Sequence, residues 1–339
     1  MKKIISVALR ITISIVLLIF LFAQEQVEIV RIIAIVRTAD IRFLLLAFAV
    51  FAGVNVLCLL RWAMLLTSIN IRLPLKRIVT SFAGSLFFNL VMPSSIGGDF
   101  MRSTDLAAHT KKTKEVVATV FLDRLSGYSG LVIVACLAVV FGWRIAEDRN
   151  VFLSLLFITL VLAVILMVLF NSFFYALLNR TLSANTARKD SVMRKMTSKV
   201  KDVIKDLHNE IYLFRNKKKI LAQNLLFSLA VQALMPVVFY FTALALGVRI
   251  APLYFFIYIP IISAVTMLPI SIGGLGVREN ITMYLFAKAG VAKDVASTLG
   301  VLNSVFIVIC AAAGGLFYVC TVHHRRVQSH QSPSVPATP

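Results

Sequence analysis

The chain has 339 residues, of which 59% are hydrophobic and 15% charged, and its mean hydropathy is +0.90. Soluble domains run at about 45–50% apolar and about 25% charged, so an ordinary soluble protein is excluded and a polytopic membrane protein is expected. The formal charge of +20 lies between apolar stretches rather than in one basic patch. Positive-inside topology accounts for that pattern, which argues against a nucleic-acid partner.

No alternating barrel pattern is present, so the spanning elements are helices. Residues 1–23 carry a basic start (Lys2, Lys3, Arg10) and then an apolar run. Gln24-Glu25-Gln26 makes a poor cleavage zone, so this segment reads as an uncleaved first span. Residues 24–42 mix charges with Val and Ile and predict a loop or a short interfacial helix. Residues 43–66 form a second span ending near Arg61-Trp62, read as an interfacial pair. Two short apolar stretches follow, 79–92 and 96–108, each below the ~20 residues that a span needs. Residues 116–141 and 151–178 are spans three and four. The segment 180–219 holds twelve basic and four acidic residues, a net +8, and is expected in the cytoplasm. It serves either topology alone or attraction to anionic head groups. Span five covers 221–246, a second short pair covers 253–268 and 272–287, and the last span covers 298–321. Residues 1–325 therefore read as a single membrane domain, with 326–339 a polar, disordered tail.

The breaks between the short stretches share a motif. Pro93-Ser94-Ser95-Ile96-Gly97-Gly98 recurs 176 residues later as Pro269-Ile270-Ser271-Ile272-Gly273-Gly274. Arg102 recurs as Arg278 at the same displacement. Proline and paired glycine interrupt helices, and broken backbone at membrane depth is tolerated only where protein or water covers it. Matched interruptions in two halves of a membrane protein point to a transport site. The breaks read as two re-entrant hairpins, although Pro-kinked full spans would also use these residues. Counting spans from a cytoplasmic Lys2-Lys3 places both termini inside and enters the two hairpins from opposite sides. The predicted architecture is all-α, with about six full spans and two hairpins in inverted repeat, in the plasma membrane.

Ionisable groups at membrane depth are costly and are candidates for function. Arg102 and Arg278 suit a lipid phosphate, because a guanidinium binds two oxygens with a planar fork. Ser94, Ser95 and Ser271 add hydroxyls to that site or cap the second half-helices, and the two roles are compatible. The backbone at Gly97, Gly98, Gly273 and Gly274 offers N–H donors at a helix start. Asp99, Asp123, Arg124 and Glu279 either balance charge between helices or receive a cationic head-group amine. Cys58, Cys136, Cys310 and Cys320 form no CxxC and read as small hydrophobes. Neither HExxH nor other metal-ligand spacing is present, and no cofactor is expected. Nucleotide-binding and catalytic signatures are equally missing, so no catalytic residue is assigned.

Arg61-Trp62, the stretch Asn89 to Asp99 with Arg102, the pair Asp123-Arg124, and the stretch Leu268 to Glu279 resemble the lysylphosphatidylglycerol synthase transmembrane (flippase-like) family over about residues 5–325. In the bifunctional synthases of that family this membrane part is held to move aminoacylated phosphatidylglycerol between leaflets, while a separate cytosolic domain makes it. The chain ends at Pro339, so the resemblance implies a stand-alone member without the synthase domain and a lipid transporter rather than a lysyltransferase. Stand-alone members are also associated with polyprenyl-linked sugars. Anionic or aminoacyl phospholipids and polyprenyl-phosphate lipids are all expected partners on this basis. The rival expectation is a membrane scaffold for a glycolipid- or phospholipid-modifying enzyme.

Overall fold

The computed structural model describes residues 29–71, 73–92, 97–110, 112–142, 149–170, 214, 217–267 and 271–331. The expected first span, most of the 180–219 block and the end of the tail lie outside these residues. Every regular element among the described residues is helical. In chain order they are α1 (Ile29–Thr38), α2 (Ile41–Ser68), α3 (Leu75–Val91), α4 (Gly97–Thr110) and α5 (Thr113–Phe141). These are followed by α6 (Arg149–Phe170), α7 (Lys218–Ala245), α8 (Pro252–Thr266), α9 (Val277–Lys288) and α10 (Lys293–Gln331).

Four described segments are long and apolar enough to cross a bilayer: α2, α5, α7 and Lys293–Thr321 of α10. Their outward faces carry large apolar side chains such as Leu137, Val140, Leu316 and Val319, all more than half exposed. Such a surface suits hydrocarbon rather than water. On α6, Phe152, Phe157, Leu160 and Val164 are exposed in the same way. Pro236 inside α7 and Pro260 inside α8 are both buried in the bundle, where neighbouring helices tolerate the lost donor. Helix α1 falls in the stretch expected to hold a short helix, with Ile32 buried and Val30 exposed. Helix α10 continues through Gln331 into the segment expected as tail; no Pro or Gly interrupts the chain between Gly315 and Pro333.

The repeat extends well beyond its motif. Helices α2 and α7 are both 28 residues long and start 177 residues apart. Each is followed by two short helices, 17 and 14 residues in the first half and 15 and 12 in the second, and then by a long one. The halves also exchange partners. Helix α2 packs on α7, α3 packs on α10, and α8 packs on α5. Small residues set a close crossing of α3 and α10: a Cβ on Gly84 of α3 would meet the Tyr318 ring at 2.7 Å, and one on Gly314 of α10 would meet the Ala83 carbonyl at 2.5 Å. Close approach of this kind is how helices gain packing energy in a solvent as apolar as themselves.

Arg61 and Trp62, expected near the end of the second span, are buried among protein side chains, at 6% and 0% exposure. Helix α2 runs a further turn and a half to Ser68, which carries this pair inside the bundle.

Candidate functional site

The first motif copy builds a buried chain of charges. The Gly98 N–H donates to Asn89 Oδ1 at 2.9 Å and ties the start of α4 to the end of α3. A Cβ at Gly98 would sit 2.1 Å from the Ser85 carbonyl oxygen, so only glycine permits this approach. Asp99 and Arg102, one turn apart on α4, then face inward and pair at 2.8 Å. Arg102 also reaches Asp123 of α5 at 3.1 Å and lies 4.8 Å over the Trp62 ring. The other Asp123 oxygen accepts from Arg61 Nε at 2.6 Å, and Arg61 also donates to Ser228 of α7 at 2.9 Å. At the opposite end, Asp99 accepts from Arg124 Nε at 2.6 Å. The order Arg61, Asp123, Arg102, Asp99, Arg124 thus alternates in sign across α2, α4 and α5. Buried charges persist only when paired and hydrogen-bonded, and each carboxylate here meets two guanidiniums.

The second copy is built differently. Gly273, Gly274 and Gly276 have φ of 59°, 78° and 79°, the left-handed region that glycine supplies without a Cβ penalty. Their turn leads into α9, where Glu279 accepts from the Gly276 N–H at 2.7 Å and from the Ser304 hydroxyl of α10. Glu279 is thereby a helix-capping group. Arg278 donates to Ser304 Oγ at 3.2 Å and lies 3.4 Å from the Gly273 carbonyl. Leu275 stands where the first copy has Asp99.

Between the halves lies a cleft of about 250 Å³. Arg124 enters it from the first half and Arg278 from the second. Asn89, Ser263, Thr266 and Asn303 supply neutral polar groups, and Phe51, Leu90, Met235, Phe239, Ile262 and Ile307 supply apolar wall. Met267 borders this cleft and also a second, apolar cavity of about 400 Å³ between α5, α6 and α8. Leu131, Phe157, Ile158 and Val265 line the second cavity.

A family model, the lysylphosphatidylglycerol synthase TM region, matches residues 7–315, including the motifs, both arginines and most of the bundle. The chain belongs to that family. Among curated relatives of this TM-region protein is a UPF0104 membrane protein of Pyrococcus horikoshii, 27% identical over 87% of this chain and 91% of the relative. A UPF0104 membrane protein of Methanothermobacter thermautotrophicus is 24% identical, over 81% of this chain and 82% of the relative.

In this TM-region bundle the residues expected at a site separate into groups. Arg278, Gly273 and Arg124 line the cleft. Arg102 does not; it is 3% exposed and held by two carboxylates and an indole face. Asp99, Asp123 and Glu279 are likewise buried in internal bonds rather than on the cleft wall. Gly98 contributes no free donor, because its N–H is taken by Asn89, and Gly273 turns its carbonyl toward Arg278. Ser271 is buried beside the second turn, and Gly97 and Gly274 pack against Met92 and against Arg278 with Thr266. Pro93, Ser94, Ser95 and Pro269 lie outside the described residues. Sequence reasoning gave Arg61 and Asn89 no site role, and it grouped Arg124 with the charge-balancing residues.

Proposed function

We propose that this protein moves a phosphate-headed lipid between the leaflets of the plasma membrane. The observation that carries the reading is the cleft itself, where one arginine from each half faces a common space with an apolar cavity alongside. A guanidinium pair with amide and hydroxyl neighbours suits phosphate oxygens. The neighbouring apolar cavity suits hydrocarbon that never leaves the bilayer. The short helix pairs α3–α4 and α8–α9 serve as the re-entrant elements, entering from opposite sides and bringing the cleft near the midplane.

In this mechanism Arg278 takes the phosphate first, because the Ser304 hydroxyl and the Gly273 carbonyl that it donates to are neutral oxygens that a phosphate can replace. Arg124 shares its charge between Asp99 and the ligand. The exchanged contacts α3–α10 and α8–α5 let one half rock against the other around the bound head group. The driving force is a gradient, the membrane potential or downhill lipid flow.

Proteoliposomes holding the purified protein and a fluorescent phosphatidylglycerol test this, with dithionite access reading the exchange between leaflets. Translocation by wild type and its loss in Arg278→Gln is the expected result. No translocation by folded wild type would reject transport and favour the scaffold role.

A further inference from the structure

The charge balance around the cleft narrows the ligand class, on the reading that this cleft holds a lipid head group. Four guanidiniums stand against three carboxylates in the cluster behind and along its walls, which has two bonded groups: Arg61, Arg102 and Arg124 with Asp99 and Asp123, and Arg278 with Glu279 through Ser304. Among the described residues the cluster therefore keeps one positive charge. None of the lining residues is acidic. In sequence, the residues at the two motif breaks that lie outside the described residues, 93–96 and 268–270, include no Asp or Glu.

We infer that the site binds a lipid whose head group carries a net negative charge and rejects one made cationic by aminoacylation. A net charge within a bilayer is expensive, and one anion removes it. A zwitterionic head group leaves the excess in place, and a lysylated one adds to it. The amine of an aminoacyl lipid also lacks a carboxylate to receive it. Asp99 and Asp123 each accept two guanidinium contacts, and Glu279 is used by the Gly276 N–H and Ser304. Freeing any of them would strand a buried arginine or an N-terminal N–H. The inference runs against the aminoacyl lipid that the family's name suggests, and it rests on how these particular carboxylates are spent.

The experiment measures binding separately from transport. The full-length protein in detergent is titrated with phosphatidylglycerol, phosphatidylethanolamine and lysyl-phosphatidylglycerol, and bound lipid is counted by native mass spectrometry. The same three lipids are then followed in the proteoliposome exchange assay. Affinity should fall in that order, with phosphatidylglycerol at least about tenfold above the lysylated lipid. Ser263→Asp places one carboxylate on the cleft wall and should shrink or invert the ratio. Equal binding of the three lipids, a preference for the lysylated one, or a ratio unmoved in folded Ser263→Asp would overturn the inference. Charge-ordered binding without exchange in liposomes supports the inference and rejects transport.

Discussion

The two motif copies share their glycines and arginine, yet they solve the problem of a cation inside a membrane in opposite ways. In the first copy Arg102 is neutralised by Asp99 and Asp123 and covered by Trp62. In the second, Leu275 replaces the acid, and Arg278 is met by a serine hydroxyl and a backbone carbonyl at the edge of a cleft. The α5 pair Asp123-Arg124 finds its counterpart on α10 in neutral Asn303 and Ser304, which sit beside Arg278. A duplicated motif therefore supplies one arginine locked in buried ion pairs and one that lines a cleft, so its shared residues do not have shared surroundings.

The largest effect is expected at the lock. Asp123→Ala leaves Arg61 and Arg102 buried without one of their carboxylates, and such breaks cost about 3–5 kcal/mol. Thermal unfolding in detergent, followed by loss of the monodisperse peak, should show a sharp drop or no folded protein. Near-native stability of Asp123→Ala would remove the distinction between lock and site.

The equivalent glycines give a second contrast. Gly98→Ala drives a Cβ into the Ser85 carbonyl and should cost about 3 kcal/mol, the upper range for overpacking. Gly274→Ala meets first the movable end of Arg278 at 3.0 Å, with the Thr266 Cβ at 3.2 Å, and pays about 1 kcal/mol for its positive φ. Reversal of that order in a denaturation series would contradict the two backbone geometries.

The smallest effect on stability is expected at Arg278→Gln, under about 1 kcal/mol, because no carboxylate is stranded and relief of a buried charge's desolvation offsets the hydrogen bonds lost to two neutral oxygens. Its effect on lipid exchange should be near-complete. A variant that is destabilised as severely as Asp123→Ala would place Arg278 with the structural charges instead.

Much of the scaffold was legible without coordinates. The hydropathy windows anticipated α2, α5, α7 and the membrane part of α10, because a helix in lipid must be long and apolar whatever its neighbours are. The Pro and Gly-Gly breaks anticipated four short helices for an equally local reason. What escaped was the use of each charge. Arg61 meets Asp123 across 62 residues and Ser228 across 167. No spacing rule connects such partners.

The sequence by itself determined that this is a helical membrane protein in two related halves, interrupted at matched points, since length, apolarity and backbone chemistry act within a few residues. Tertiary structure decided that Arg102 is buried while Arg278 and Arg124 face the cleft. That outcome depends on which helices of the two halves pack together, and so on contacts between residues far apart in the chain.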